Sequence, residues 1–399
     1  MMRVFPLLVG LLCACALRAD TILVLPFHNR SDSANIDWIG ESIAENVREA
    51  LASEGLLALD REDRLEVFRR LSVRPNAILT RATIIKAGQA LDASKVIYGH
   101  YDLTPAAGSA PGAAGESRGL LRITARMLDL RHLRQGPEYM ESGALEELAA
   151  LETRLGWQTL QFLAPRSAPS EQEFFAARPP VRVDAVENYV RGLLAPNEEQ
   201  KHRLFTQAAR LDERYSQPCY QLGMIYWQKK DYRVAAGWLE RVRRSDSHYL
   251  EARFFLGLCR YYGGDFAGAE ECFQLVARTV PLNEVWNDLG AAQSRLGKPE
   301  AVESFRKALE GDDADPDYHF NIGYTLWKAG QFDAAAESFR AALERNPEDG
   351  EVSAFLHRAL KKDGPRAAET ASESPERLKT NYEESAYRAL KAELERKRD

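Results

Sequence analysis

The chain has 399 residues, 45% apolar and 28% charged, with a formal net charge of −6. That length exceeds one ordinary core and calls for two or three domains, and the composition excludes a disordered or multispanning chain. The mild acidity argues against nucleic acid as a partner, because binding a phosphate backbone needs a concentrated basic excess.

Arg3 precedes the apolar run "VFPLLVGLLCACAL", which is too short for a stable bilayer anchor, so residues 1–19 are expected to be a secretory signal peptide. Two processing patterns compete there. Ala14-Cys15-Ala16 suits ordinary signal peptidase, the preferred reading, whereas "LCAC" has the form of a lipobox that would place lipid on Cys15 and bring the chain to a membrane. The mature chain would keep Cys219, Cys259 and Cys272, an odd number without CxxC spacing, read as small packing residues.

Residues 20–163 alternate strand-like and helix-like stretches. "ILVLPF" is a buried-strand run, after which Ile36, Ile39, Ile43, Val47 and Leu51 share one helical face. A short strand "LLAL" follows, then a helix "REDRLEVFRRL" with Leu65, Phe68 and Leu71 as its stripe, and a helix "ATIIKAGQAL" leading to the strand "KVIYGHYDL". Thr104 to Arg118 is a Gly, Ala, Pro and Ser rich hairpin loop. Beyond it, Leu121, Ile123, Ala125 and Met127 alternate with Arg122, Thr124 and Arg126, the pattern of a sheet with one wet face. A helix, "LEELAALETRLGWQTLQFL", closes the domain, and residues 164–183, with four prolines and no steady period, are expected to be a linker.

From residue 184 the strand signals vanish and a unit recurs at Leu222-Gly223, Leu256-Gly257, Leu289-Gly290 and Ile322-Gly323, with a period of roughly 34 residues. Small residues recur at Ala235, Ala269, Ala301 and Ala335, and large ones at Leu239, Phe273, Phe305 and Phe339. The pattern resembles the tetratricopeptide repeat, two antiparallel helices per unit, in which small residues permit close helix approach and large ones fill the interface. Residues 184–362 are expected to hold four clear repeats, one degenerate repeat before them and a capping helix from Ser353 to Lys361. Residues 363–399 read as a polar spacer and a charged helix with Leu378, Tyr382, Ala386, Leu390 and Leu394 in one stripe, solvated by preference, with docking on the solenoid or on a partner as the other reading.

No catalytic, cofactor or metal site emerges. "GESRG" places Ser117 in a flexible loop with a strand after it, where a nucleophile elbow needs a helix. Asp313, Asp315 and Asp317 have alternate spacing but lack the glycine and glutamate of a calcium loop, so a solvated inter-repeat turn is expected. "HNRSDSAN", leading into a helix N-terminus, is the one stretch where a small anion is conceivable, though it lacks the glycines that bring backbone close to phosphate.

The residues Leu25, Pro26, Phe27, Asn29, Ser31, Gly99, Arg122, Ala125, Leu128 and Asp129 resemble the pattern of the TolB amino-terminal domain. That resemblance implies an α/β domain that makes protein contacts at the bacterial envelope and carries no catalytic residues. The repeat resemblance implies that protein or peptide partners bind a groove lined by each unit's first helix, here Tyr220, Met224, Trp227, Phe254, Leu258, Tyr261, Asn287, Phe320, Tyr324 and Trp327, with the solenoid interior as the competing place for any one of them. The expectation is a non-enzymatic periplasmic scaffold, alone or within an envelope complex, and the alternative is a sensor whose α/β domain takes a small ligand.

Overall fold

The computed structural model describes residues 20–31, 34–74, 77–105, 119–365, 375–383, 387, 390 and 394. The expected signal peptide with Cys15, Ser117 and its loop, and most of the polar spacer lie outside them.

The chain from Thr21 to Leu163 builds a mixed sheet flanked by helices. Strands β1 (Thr21–Val24), β2 (His28–Asn29), β3 (Leu57–Ala58), β4 (Lys95–Thr104), β5 (Leu120–Asp129) and β6 (Arg134–Ala144) lie in the order β3-β1-β4-β5-β6, with β2 paired to β4 beyond the end of β1. β1 runs parallel to β3 and β4, whereas β4, β5 and β6 are successive antiparallel neighbours, with Gly99 opposite Ala125. The "ILVL" run is buried on both faces because side chains alternate along a strand. Ile22 and Val24 join the core under α1 (Trp38–Ala52) and α4 (Leu148–Leu163), and Leu23 and Leu25 join a second core under α2 (Arg61–Arg70) and α3 (Arg81–Ala90).

Two local readings are corrected, and one strand is added. The inward face of α2 is Arg64 and Val67, not Leu65, which is 37% exposed. The cause is electrostatic: Glu41 and Glu45 of α1 are buried beside the sheet, and Arg64 pairs with both while donating to the Val24 carbonyl at 3.1 Å. β6 escapes the sequence pattern because it is an edge strand containing Pro137 and two glycines, a composition that discourages pairing with other chains. Within the stretch 164–183, expected as a linker, Ser170 and Glu173 form a capping box that starts α5 (Glu171–Ala177), and Phe174 is buried beneath the Arg178 guanidinium, 3.8 Å from the ring centroid.

Helices α6 (Val183–Leu194) and α7 (Glu198–Leu211) form the degenerate unit. They are followed by α8 (Gln217–Gln228) with α9 (Tyr232–Leu239), α10 (Tyr249–Tyr262) with α11 (Phe266–Thr279), α12 (Asn283–Arg295) with α13 (Ala301–Gly311), and α14 (Pro316–Lys328) with α15 (Phe332–Arg345); α16 (Gly350–Leu360) closes the array. The glycine of each dipeptide faces the large residue of its own second helix: a β-carbon on Gly223, Gly257, Gly290 or Gly323 would lie 2.6–2.8 Å from Leu239, Phe273, Phe305 or Phe339. Gly192 meets Phe205 in the same way, so the degenerate unit uses the same packing device. Cys219, Cys259 and Cys272 are buried and free.

The two halves share one core. Its residues run without a break from Ile22 through Val186 and Tyr189 of α6 to Phe305. Around it, Arg178 pairs with Glu54 at 2.6 Å, Arg191 donates to the Asn35 carbonyl at 2.8 Å, and the Ser247 amide donates to Glu49 at 3.4 Å.

Candidate functional site

The opening loop is organised by its own polar groups. Asn29 donates to Asp37 at 2.7 Å and accepts from the Ser31 amide at 2.9 Å, while Ser31 Oγ accepts from the Leu103 amide at 2.7 Å. These bonds fix the entry to α1. Beside the loop, a cavity of about 770 Å³ opens between His28, Glu41, Arg61, Arg64, Phe68 and Arg74. Arg61 is engaged at 2.7 Å with Glu41, which also holds Arg64.

The other candidate site is the groove made by the first helices of the repeats, and it is filled. Residues Pro375–Glu383 run through it without helical structure, although a solvated helix is the expected form of this segment. The physical reason is that groove side chains take the backbone groups a helix would need. Asn321 Oδ1 accepts from the Arg377 amide at 2.8 Å, and the Arg377 carbonyl accepts from Asn287 at 2.8 Å and from Asn321 at 2.9 Å. Two residues on, the Lys379 amide donates to Asp288 at 2.8 Å.

The side chains of the segment are held as closely as its backbone. Glu376, 4% exposed, accepts from Ser294 at 3.0 Å and pairs with Lys328 at 2.8 Å. Arg377 pairs with Asp349 at 2.7 Å, Glu351 at 2.9 Å and Asp317 at 3.2 Å, with its guanidinium 4.1 Å from the Phe320 ring centroid. Lys379 bridges Asp315 at 2.6 Å and Asp317 at 2.7 Å. Asp315 and Asp317, expected in a solvated turn, therefore grip the segment instead. Tyr382 packs edge-on to Phe254 with centroids 5.1 Å apart, and Tyr387 is 2% exposed.

Burial and charge tune these groups. The Arg377 guanidinium holds the Asp349 carboxyl below its ordinary value. Burial acts against a charged Lys379, but Asp315 and Asp317 outweigh it and raise the ammonium. Asp288 is fully buried, and desolvation pushes its carboxyl well up. Its Oδ2 finds no hydrogen-bond partner among the described residues, so the hydration that oxygen loses on burial is not replaced.

Of the ten residues expected to line the groove, Asn287, Phe320, Tyr261 and Phe254 meet the segment; the Tyr261 hydroxyl donates to Glu376 at 3.5 Å. The others are engaged within the solenoid. Tyr324 and Trp327 pack on Phe355 of α16 at 5.3 and 5.2 Å, and Trp327 donates to the Asp363 carbonyl at 2.7 Å. Trp227 lies among Tyr232, Phe255 and Tyr262, Tyr220 stacks on His248 at 4.4 Å, Leu258 is fully buried, and Met224 is partly buried against the same core. The residues missed were the polar ones, Asn321, Asp288, Ser294, Lys328 and Asp349. The signal that could have found Asn321 is its place one repeat on from Asn287. Among the described residues no group of His, Cys, Asp or Glu could hold a metal ion, and no helix is long and apolar enough to cross a membrane.

Paired helices in a regular stack, with small-against-large packing and an occupied groove, define an array of tetratricopeptide repeats. Residues 220–284 and 287–350 match a family model described as the tetratricopeptide repeat. The chain is 26% identical over 217 residues to tetratricopeptide repeat protein 37 of Xenopus laevis, covering 52% of this chain and 13% of that protein. It is 28% identical over 115 residues to the peroxisomal targeting signal receptor of Candida glabrata, covering 28% of this chain and 20% of that protein. The chain thus spans a fifth or less of the length of these curated relatives. Similar solved structures include YrrB, a TPR protein with an unusual peptide-binding site, at 20% identity over 40% of this chain and 84% of its own, with a TM-score of 0.34. MamA is similar at 19% identity over 38% and 91%, with a TM-score of 0.35.

Proposed function

We propose that this protein is a non-enzymatic scaffold of the bacterial periplasm, whose repeat groove takes an extended segment of a protein partner and whose TolB-like α/β domain docks a second envelope component. The observation that carries the reading is the pair Asn287 and Asn321, which between them hold both the amide and the carbonyl of one residue of an extended chain. Such contacts recognise backbone regardless of side chain, and the neighbouring charges add selectivity. Crosslinking in the native envelope, with the unaltered chain and with Asn287→Ala plus Asn321→Ala, tests it. The expected result is one crosslinked partner that the double variant loses while keeping its helicity; recovery of the same partner by both chains refutes the groove.

A second reading, a ligand-sensing α/β domain, draws on the cavity beside His28 and Arg74. Its test is thermal stabilisation of the full chain by small anionic metabolites, because a ligand that binds only the folded state raises the melting temperature. Absence of any stabilisation across the pool removes that reading.

A further inference from the structure

The segment Pro375–Glu383 sits in the groove as a ligand would. A chain end that only covered an apolar face would be held by apolar contact. Here the backbone of Arg377 is bonded in both directions, and the side chains of Glu376, Arg377 and Lys379 each meet opposite charge in turn.

The groove also has a need of its own. Asp315, Asp317, Asp349 and Glu351 are gathered from α14, its cap and the start of α16 onto two cations, Arg377 and Lys379. With the segment gone, these carboxylates would face one another without compensation, and like charges at short range are unfavourable. The groove is therefore stable with a basic segment in it, and one such segment leaves most readily in exchange for another. The segment is also tethered: Trp327 fixes the chain at Asp363, and only a short spacer separates that point from Arg377. A short tether gives its end a local concentration on the order of millimolar, which any competitor must overcome.

We propose that Glu376-Arg377-Leu378-Lys379 is an internal copy of the motif that the groove reads in its partner: an extended segment bearing, in order, a carboxylate, a guanidinium, an apolar side chain and an ammonium, which binds by displacing the chain's own. This rests on the groove being a partner site, as set out above. Lys328 and Ser294 receive the carboxylate, Asp349 and Glu351 the guanidinium, and Asp315 with Asp317 the ammonium. The same segment that marks the specificity thereby guards the groove.

The test uses the full chain and a fluorescent peptide of residues 375–383, PERLKTNYE. In Arg377→Glu plus Lys379→Glu the internal segment is repelled, and the peptide should bind at least tenfold tighter than to the unaltered chain. A peptide with the same two reversals should not bind, and adding Asn321→Ala to the released chain should abolish binding of the first peptide. Circular dichroism checks that the repeats remain helical. Equal tight binding to both chains would mean that the segment does not guard the groove, and no binding to the folded, released chain would mean that the groove does not read this motif. An unaltered chain that is dimeric, and monomeric with the two reversals, would place the segment in a second copy and overturn the internal arrangement. If the released chain still captures the crosslinked partner and the peptide fails to displace it, this inference falls while the groove reading stands; if neither partner nor peptide binds, both fall.

Discussion

Replacing Glu152 by Gln should stabilise the protein by an amount that grows with pH. Glu152 of α4 is 0% exposed, pressed against α1, where Asn46 donates to its Oε2 at 2.7 Å while its Oε1 has no hydrogen-bond partner among the described residues. Burial pushes its carboxyl up from 4.5 to about 8. Below the unfolded value both states hold the proton and the group is neutral toward folding. Between the two values the unfolded chain is ionised and the folded chain is not, so stability falls as pH rises, and above the folded value the loss is constant. At about 1.36 kcal/mol per pH unit, the loss at pH 7 is roughly 3 kcal/mol. Glutamine keeps the volume and the acceptor for Asn46 and cannot ionise. Melting temperatures of the two proteins should therefore coincide near pH 4.5, separate steadily to pH 8 and run parallel beyond it. A difference that does not change with pH would refute the assignment of Glu152 as a buried neutral acid.

Other outcomes follow from packing and charge. Phe305→Ala empties the space opposite Gly290 and should cost about 3–5 kcal/mol, read as a lowered melting temperature of the repeats, with no gain elsewhere because Phe305 is fully enclosed. His248 is half-buried, and its desolvation disfavours its charge, yet Glu251 and Asp246 outweigh this and raise it from 6.5 to about 9. Its contribution is fully present below pH 6.5 and lost as pH rises through about 9, so His248→Gln should destabilise most at pH 6 and least at pH 9.5, measured by chemical denaturation at both. Arg64→Met should cost roughly 3–5 kcal/mol, since it leaves Glu41 and Glu45 buried with fewer partners, and adding Glu41→Gln should recover part of that loss.

The repeats were legible because their period is covalent: glycine must return wherever a large side chain of the next helix arrives, and the sequence displays that return directly. Gly192 went unrecognised as part of it because it follows Arg191, not leucine or isoleucine, and stands less than a full period before Gly223. The first strands could be read from apolar runs, but β6 could not, since an exposed edge strand lacks the alternation that burial imposes. Arg64 and the groove share a different difficulty. Their partners lie 19 to 115 residues away, and a buried ion pair or an asparagine clamp leaves no local pattern. The apolar stripe from Leu378 to Leu394 pointed to a helix, whereas backbone bonds to Asn321, Asn287 and Asp288 decide the form of its first part.

The continuous core between the sheet domain and α6 turns the molecule into a caliper. Solenoids end in units with one polar face, because an uncovered terminal helix exposes its apolar stripe. Here α1 and α4 cover Val186, Tyr189 and Val190, so the sheet domain serves as the end plate of the array. A fragment starting at residue 184 would bare that stripe and self-associate. On the proposed function, a partner docked at the sheet domain and one in the groove would then be held at a set spacing and angle, as by two jaws on one bar, where a slack tether would let them find their own distance.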